Sequence, residues 1–140
     1  MSSYLNIYML PQATEENKEP KKLLLDQYSR NSPIYQAFYE NLNPVYAWKN
    51  DKEQYEELTE EKLSVMRNGL KEDYDKANKR LEDYEKHCNS IDLLEDIISM
   101  KEYMEEIKEQ LSFISHLDSI LFMCKHTTWG GFQGIYMNID

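Results

Sequence analysis

The chain has 140 residues, with 26 acidic against 16 basic for a formal net charge of -10, and a mean hydropathy of -0.78. That surplus of carboxylates argues against direct binding to a nucleic-acid backbone or an anionic membrane, since both are polyanions. At 41% hydrophobic residues and 11 tyrosines the chain still has bulk for one modest core, which excludes a disordered polymer.

The start, Met1-Ser2-Ser3-Tyr4-Leu5-Asn6, lacks the basic residues of a secretory leader, and the apolar run after it is too short for a leader or a membrane span. Cys88 and Cys124 are too few for a disulfide framework, so the expected setting is a reducing cytoplasm.

In chain order, Tyr4 to Leu10 alternates Leu5, Ile7 and Met9 with Tyr4, Asn6 and Tyr8, which predicts a strand ended by Pro11. Residues 12–22 are polar and carry Pro20, as an exposed loop does. The short run Lys22 to Tyr28 is either a second strand, hairpinned to the first across that loop, or a helix; its length favours the strand. Asn31-Ser32-Pro33 is a helix start, followed by the stripe Ile34, Tyr35, Phe38, Tyr39 and Leu42 and stopped by Asn43-Pro44. Val45, Tyr46 and Trp48 are expected to connect and pack on the core, with a short strand near Tyr55 to Leu58. The eight aromatics Tyr4, Tyr8, Tyr28, Tyr35, Tyr39, Tyr46, Trp48 and Tyr55 are read as core filler with their polar ends at the edge, rather than as a recognition face.

Thr59 to His126 contains one glycine, Gly69, and no proline. Thr59 with Glu60-Glu61 puts a capping hydroxyl and two carboxylates at the positive end of a helix. Leu63, Met66, Leu70, Tyr74, Ala77, Leu81, Tyr84 and Cys88 then step by three and four, a heptad seam. Leu93, Ile97, Met100, Met104, Ile107, Leu111, Ile114 and Leu121 form a second one.

Extending the first seam by sevens meets Ile91 and Ile98 but then Glu105, with Glu95, Glu102 and Glu109 in the other column. The register must therefore shift, and Asn89, Ser90 and Asp92 supply turn and cap residues. The expected form is an antiparallel helical hairpin with its tip at residues 87–92, arms of about 45 Å, and little apolar surface beyond the seam near the tip. Toward the base, Leu111 to Met123 is apolar most of the way round, so that end is embedded. Lys125-His126 closes the second arm, and Phe132 to Ile139 alternates Ile135, Met137 and Ile139 as a terminal strand beside the first, with Gly134 marking a bulge or a close neighbour.

The expected fold is therefore α+β in one domain: residues 1–58 and 127–140 form a base with paired terminal strands and a short helix, and 59–126 the projecting coiled-coil hairpin. At its tip, His87, Asn89, Ser90 and Asp92 are the candidate partner-binding residues.

Other chemistries fare poorly. His87, Cys88, Cys124 and His126 have zinc-ligand identities, but the hairpin puts the first two at the tip and the last two at the base. Ser115, His116 and Asp118 point in different directions around one helix and make no triad. Gly130-Gly131 and Gly134 lack the lysine and hydroxyl of a phosphate loop. No catalytic, cofactor-binding or metal residue is expected.

Ser3-Tyr4-Leu5-Asn6-Ile7-Tyr8, Tyr28 to Phe38, Glu57-Leu58-Thr59 and the terminal Met137-Asn138-Ile139-Asp140 together resemble small proteins encoded by tailed phages and prophages. The resemblance covers most of the chain and carries no activity. It implies a phage accessory or virion-associated protein in a bacterial cytoplasm. Two functions follow as expectations: a non-enzymatic assembly protein that binds a protein partner or its own copies through the hairpin, or an acidic inhibitor or nucleic-acid-mimicking decoy for a basic host protein.

Overall fold

The chain ends lie side by side in one antiparallel sheet, as the matching alternation of Leu5-Ile7-Met9 and Ile135-Met137-Ile139 leads one to expect. The computed structural model describes residues 3–87, 90–126 and 131–140. Strand β1 (Tyr4–Pro11) pairs with β2 (Leu23–Ser29) on one side and with β6 (Phe132–Ile139) on the other, and β5 (Glu56–Glu57) adds to the far side of β6. The run at Lys22 to Tyr28 thus resolves as a strand. Leu10 faces Gly134 while Pro11 faces Phe132, so Gln133 is the extra residue of a bulge beside Gly134.

Helix α1 (Pro33–Leu42) begins where Ser32 Oγ accepts from the Ile34 amide at 3.2 Å, with Pro33 at the first helical position. It ends at Asn43, whose φ of 48° is the left-handed stop before Pro44. Helix α2 (Glu60–Lys86) starts at Thr59, whose hydroxyl accepts from the Lys62 amide at 3.2 Å. Helix α3 (Ile91–His126) returns antiparallel to it, and its start at Ile91 puts Asp92, expected among the turn and cap residues, inside the helix. Its 36 residues reach about 54 Å at about 1.5 Å each.

The sheet face that carries Leu5, Ile7, Met9, Ile135, Met137 and Ile139 is buried against Phe38 of α1, Leu63, Met66 and Leu70 of α2, and Ile107, Ile114 and Leu117 of α3. Further out, Ala77 and Leu81 of α2 meet Ile97 and Met104 of α3 in a separate small cluster. The hairpin is therefore embedded at its base and two-stranded beyond, as the widening stripe indicates. Phe122, part of the wide apolar stripe expected to be embedded at the base, is 58% exposed.

The connector departs further. Ala47 is buried, but Tyr46 and Trp48 are 66% and 65% exposed. Trp48–Lys49 and Lys52–Glu53 form a small hairpin, β3 and β4, around Asn50 and Asp51, both at positive φ, the two-residue turn that asparagine and aspartate tolerate. Of the eight aromatics read as core filler, Tyr35 is buried and Tyr28 packs its edge on Phe113, whereas Tyr39, Tyr46, Trp48 and Tyr55 are exposed.

The outer sheet face carries a polar layer. Asn6 and Asn138 face each other across β1 and β6, both almost wholly buried. Asn6 Nδ2 donates to Asn138 Oδ1 at 3.0 Å and to the Asp140 carboxylate at 3.2 Å, Gln27 Nε2 donates to Asn6 Oδ1 at 2.7 Å, and Asn138 Nδ2 donates to the Gln54 carbonyl at 2.9 Å. Each amide has its partners, so this network fixes strand register rather than presenting reactive groups.

Candidate interaction site

The far end of the hairpin is built by capping. His87 closes α2, its amide donating to the Tyr84 carbonyl at 3.3 Å, and its side chain is exposed. Ser90 opens α3: its hydroxyl accepts from the Leu93 amide at 3.3 Å, and its carbonyl from Leu94 at 3.2 Å. Asp92 stands exposed in the first turn, where a carboxylate complements the helix dipole. Asn89 lies outside the described residues, as does its neighbour Cys88. The observed contacts of Ser90 and the place of Asp92 in the first turn are those of a helix start.

The flank of α3 beside the tip carries exposed apolar side chains, where the sequence predicts little apolar surface beyond the seam. Ile91, Leu94 and Ile98 are 76%, 48% and 50% exposed. Their spacing of three and four puts them on one side of the helix, distinct from the seam Ile97, Met100 and Met104 that faces α2. The same side continues toward the base with Glu102, Glu105 and Glu109, all exposed. Ile98 and these glutamates, with Lys101, line a shallow open groove. Lys101 leans across to Glu85 of α2 at 3.9 Å, and Lys108 donates to Glu105 at 3.0 Å, a bond that lifts the ammonium above its usual pKa. Glu102 and Glu109 have no ion pair among the described residues.

On the other side of the hairpin a groove of about 470 Å³ runs between α2 and α3, with Arg80, Tyr84, Met100 and Tyr103 among its walls. Burial, and after it the charges of Asp73, Glu40 and Glu106, raise the Tyr103 phenol above its ordinary value. A smaller recess of about 250 Å³, with Arg30, Tyr39 and Tyr46 on its rim, lies by the chain ends.

Groups of reactive type are dispersed. Asp118 pairs with Arg67 of α2, and exposed Ser115 and His116 make no contact with it of the kind a triad needs. Cys124 is half-buried in the last turns of α3, and burial raises its thiol pKa, the opposite of an activated nucleophile. Of the zinc-type set, Cys88 and the side chain of His126 lie outside the described residues, while His87 and Cys124 sit at opposite ends of the hairpin. Among the described residues no three His, Cys, Asp or Glu side chains gather in a metal-binding group, and no helix is long and apolar enough to cross a membrane.

Ile91, Leu94 and Ile98 are the residues that sequence reasoning passes over. Their signal is present: Ile91 and Ile98 are the apolar positions met when the first seam is run past the turn. Taken as a test of register they indicate a break, but they also mark a second apolar row on α3 that the hairpin cannot bury.

Comparison with protein-family models, with curated proteins and with solved structures gives no match.

Proposed function

We propose that this chain is a non-enzymatic interaction and assembly protein that engages a protein partner through the far half of its hairpin. One observation carries the reading: three aliphatic side chains stand exposed in a helical row on α3 at the end of the hairpin away from the sheet. Scattered apolar residues are normal on a protein surface, but a row at helical spacing is the pattern by which helices pair. The resemblance to tailed-phage proteins supports an accessory or virion-associated role in the bacterial host.

Self-association through this row alone is the weaker form of the reading. Three partly exposed aliphatic residues fall well short of the roughly 800 Å² per partner of a standard stable interface. A second reading, an acidic inhibitor or decoy that occupies a basic host protein, draws on the glutamates that continue the row.

A photo-crosslinking residue at position 98 tests the proposal in the cells that make the protein, with one at position 65 as control, since Val65 is equally exposed but lies on α2. Adducts with a defined partner are expected from 98 and not from 65. Adducts from both at equal yield, or from neither, overturn it.

A further inference from the structure

The exposed row on α3 is longer than its apolar part. Ile91, Leu94, Ile98, Glu102, Glu105 and Glu109 follow one another by steps of three, four, four, three and four. This is a helical row on the side of α3 not used by α2, with one break from heptad spacing at Leu94, whose own column runs on to Lys101 and Lys108; it extends over about 27 Å at about 1.5 Å per residue. Its chemistry is divided: aliphatic at the far end, carboxylate toward the base. Resting on the reading of this face as a docking surface, we infer that its occupant is a basic amphipathic helix that lies along α3 as a third strand of the coiled coil. Its aliphatic residues would sit over Ile91, Leu94 and Ile98, and its lysines or arginines over Glu102, Glu105 and Glu109.

Shape and charge each narrow the choice. Side chains spaced by three and four along a helix are met in register by another helix, whereas an extended strand advances about 3.3 Å per residue and falls out of step. Carboxylates at a covered seam need cations opposite them, because like or missing charges there cost binding energy. Among the described residues Glu102 and Glu109 have no ion pair, and Glu105 has only the surface contact with Lys108.

A second copy of the chain fails on the same terms. Laid parallel, the row sets Glu102, Glu105 and Glu109 against themselves. Laid antiparallel over its whole length, it sets Ile91 against Glu109, Leu94 against Glu105 and Ile98 against Glu102, so every aliphatic residue would bury a carboxylate. Two chains of net charge -10 also repel at long range. Nucleic acid and anionic membrane are disfavoured by the same glutamates.

The probes are synthetic helical peptides about three heptads long, identical in their aliphatic half and bearing lysine, glutamine or glutamate at the three positions opposite the carboxylates. Binding to the full chain is read by fluorescence anisotropy at low and high salt. The lysine peptide should bind about tenfold or more tighter than the glutamine one at low salt, with the gap closing as salt rises. E102Q/E105Q/E109Q in the full chain should erase that gap and leave the glutamine peptide unaffected, while I98S should weaken every peptide. Circular dichroism checks that both variants stay folded.

Equal binding of the lysine and glutamine peptides overturns the basic partner and leaves the docking face standing. No binding by any peptide, together with no adduct at position 98, removes both. A discrete dimer in light scattering that I98S dissolves replaces the basic helix with a second copy.

Discussion

At the base, Leu63, Met66 and Leu70 of α2 and Ile107, Ile114 and Leu117 of α3 share one buried cluster with Phe38 and six side chains of the sheet. Beyond Tyr74 the same two helices have Ala77, Leu81, Ile97 and Met104 between them, with Tyr84 and Met100 at the margins. The backbone is equally regular in both places; what differs is how many surfaces each helix has to bury against. An isolated helix pair with so few buried side chains is marginal in water, since most helical stability in proteins comes from tertiary packing. The far half is held by being continuous with the base, and it can leave Ile91, Leu94 and Ile98 bare because nothing in this chain depends on covering them.

The largest expected effect sets the two regions directly against each other. Leu117 is fully buried between α3 and the sheet, so Leu117→Ala should cost about 2–5 kcal/mol of global stability. Leu81→Ala removes the same atoms from a site with fewer neighbours and room to collapse, and should fall at or below the bottom of that range. Hydrogen exchange separates the cases further. Leu81→Ala should speed exchange of amides around 74–104 and leave those of β1 and β6 as they were, whereas Leu117→Ala should speed both. Equal losses with uniform exchange would mean that hairpin and base unfold as one unit.

This division was largely legible in the sequence, because periodicity reports how many faces of a helix are apolar. The seams, the caps at Ser32 and Thr59 and the pairing of the chain ends all follow from local spacing. The connector was not legible. Its residues Val45 to Trp48 have no period, and whether an aromatic side chain is buried depends on what packs over it. The Asn50-Asp51 turn did carry a local signal, since both residue types tolerate positive φ, and it could have revealed the small hairpin that lifts Trp48 into solvent. The exposed row on α3 was hidden for a different reason: a helix with apolar residues on two sides reads as one with a disturbed seam.

A second effect, of order 1 kcal/mol, tests where the boundary between the regions falls. Gly69 sits in α2 where α1 crosses it, and a Cβ there would run into the amide oxygen of Asn41. That amide is held in place, donating to the Ala37 carbonyl at 2.8 Å. Gly→Ala inside a helix is worth roughly 1 kcal/mol by propensity. Gly69→Ala alone should therefore come out near neutral in urea unfolding, its gain offset by displacing Asn41, while Gly69→Ala in an Asn41→Ala background should recover about 1 kcal/mol. If the single substitution already gains that amount, α1 does not press on α2 at Gly69, and the far region begins closer to the base.

The smallest effect appears only at alkaline pH and should follow the base. Tyr28 lies edge-on to Phe113 at 5.2 Å and donates its hydroxyl to Asp26 Oδ2 at 2.6 Å. Burial first, and then the Asp26 carboxylate, push its phenol well above the ordinary value of about 10, and burial raises Tyr8 and Tyr136 on the outer sheet face as well. Above about pH 10 the unfolded chain releases protons that the folded chain keeps, so the stability these groups contribute is whole below that pH and is lost as pH rises toward their folded values. Tyr28→Phe keeps the ring on Phe113 but removes the titration. Urea midpoints measured from neutral pH to about pH 11 should fall less steeply for Tyr28→Phe than for the native chain. Tyr103 of the hairpin is raised too, but it is 44% exposed and lines the open groove between α2 and α3 beside Ala77 and Met100, outside the buried clusters. Tyr103→Phe should accordingly leave the global midpoints unchanged and slow alkaline exchange only near 74–104. A Tyr103→Phe curve that flattens as much as that of Tyr28→Phe would show the two regions to be thermodynamically one.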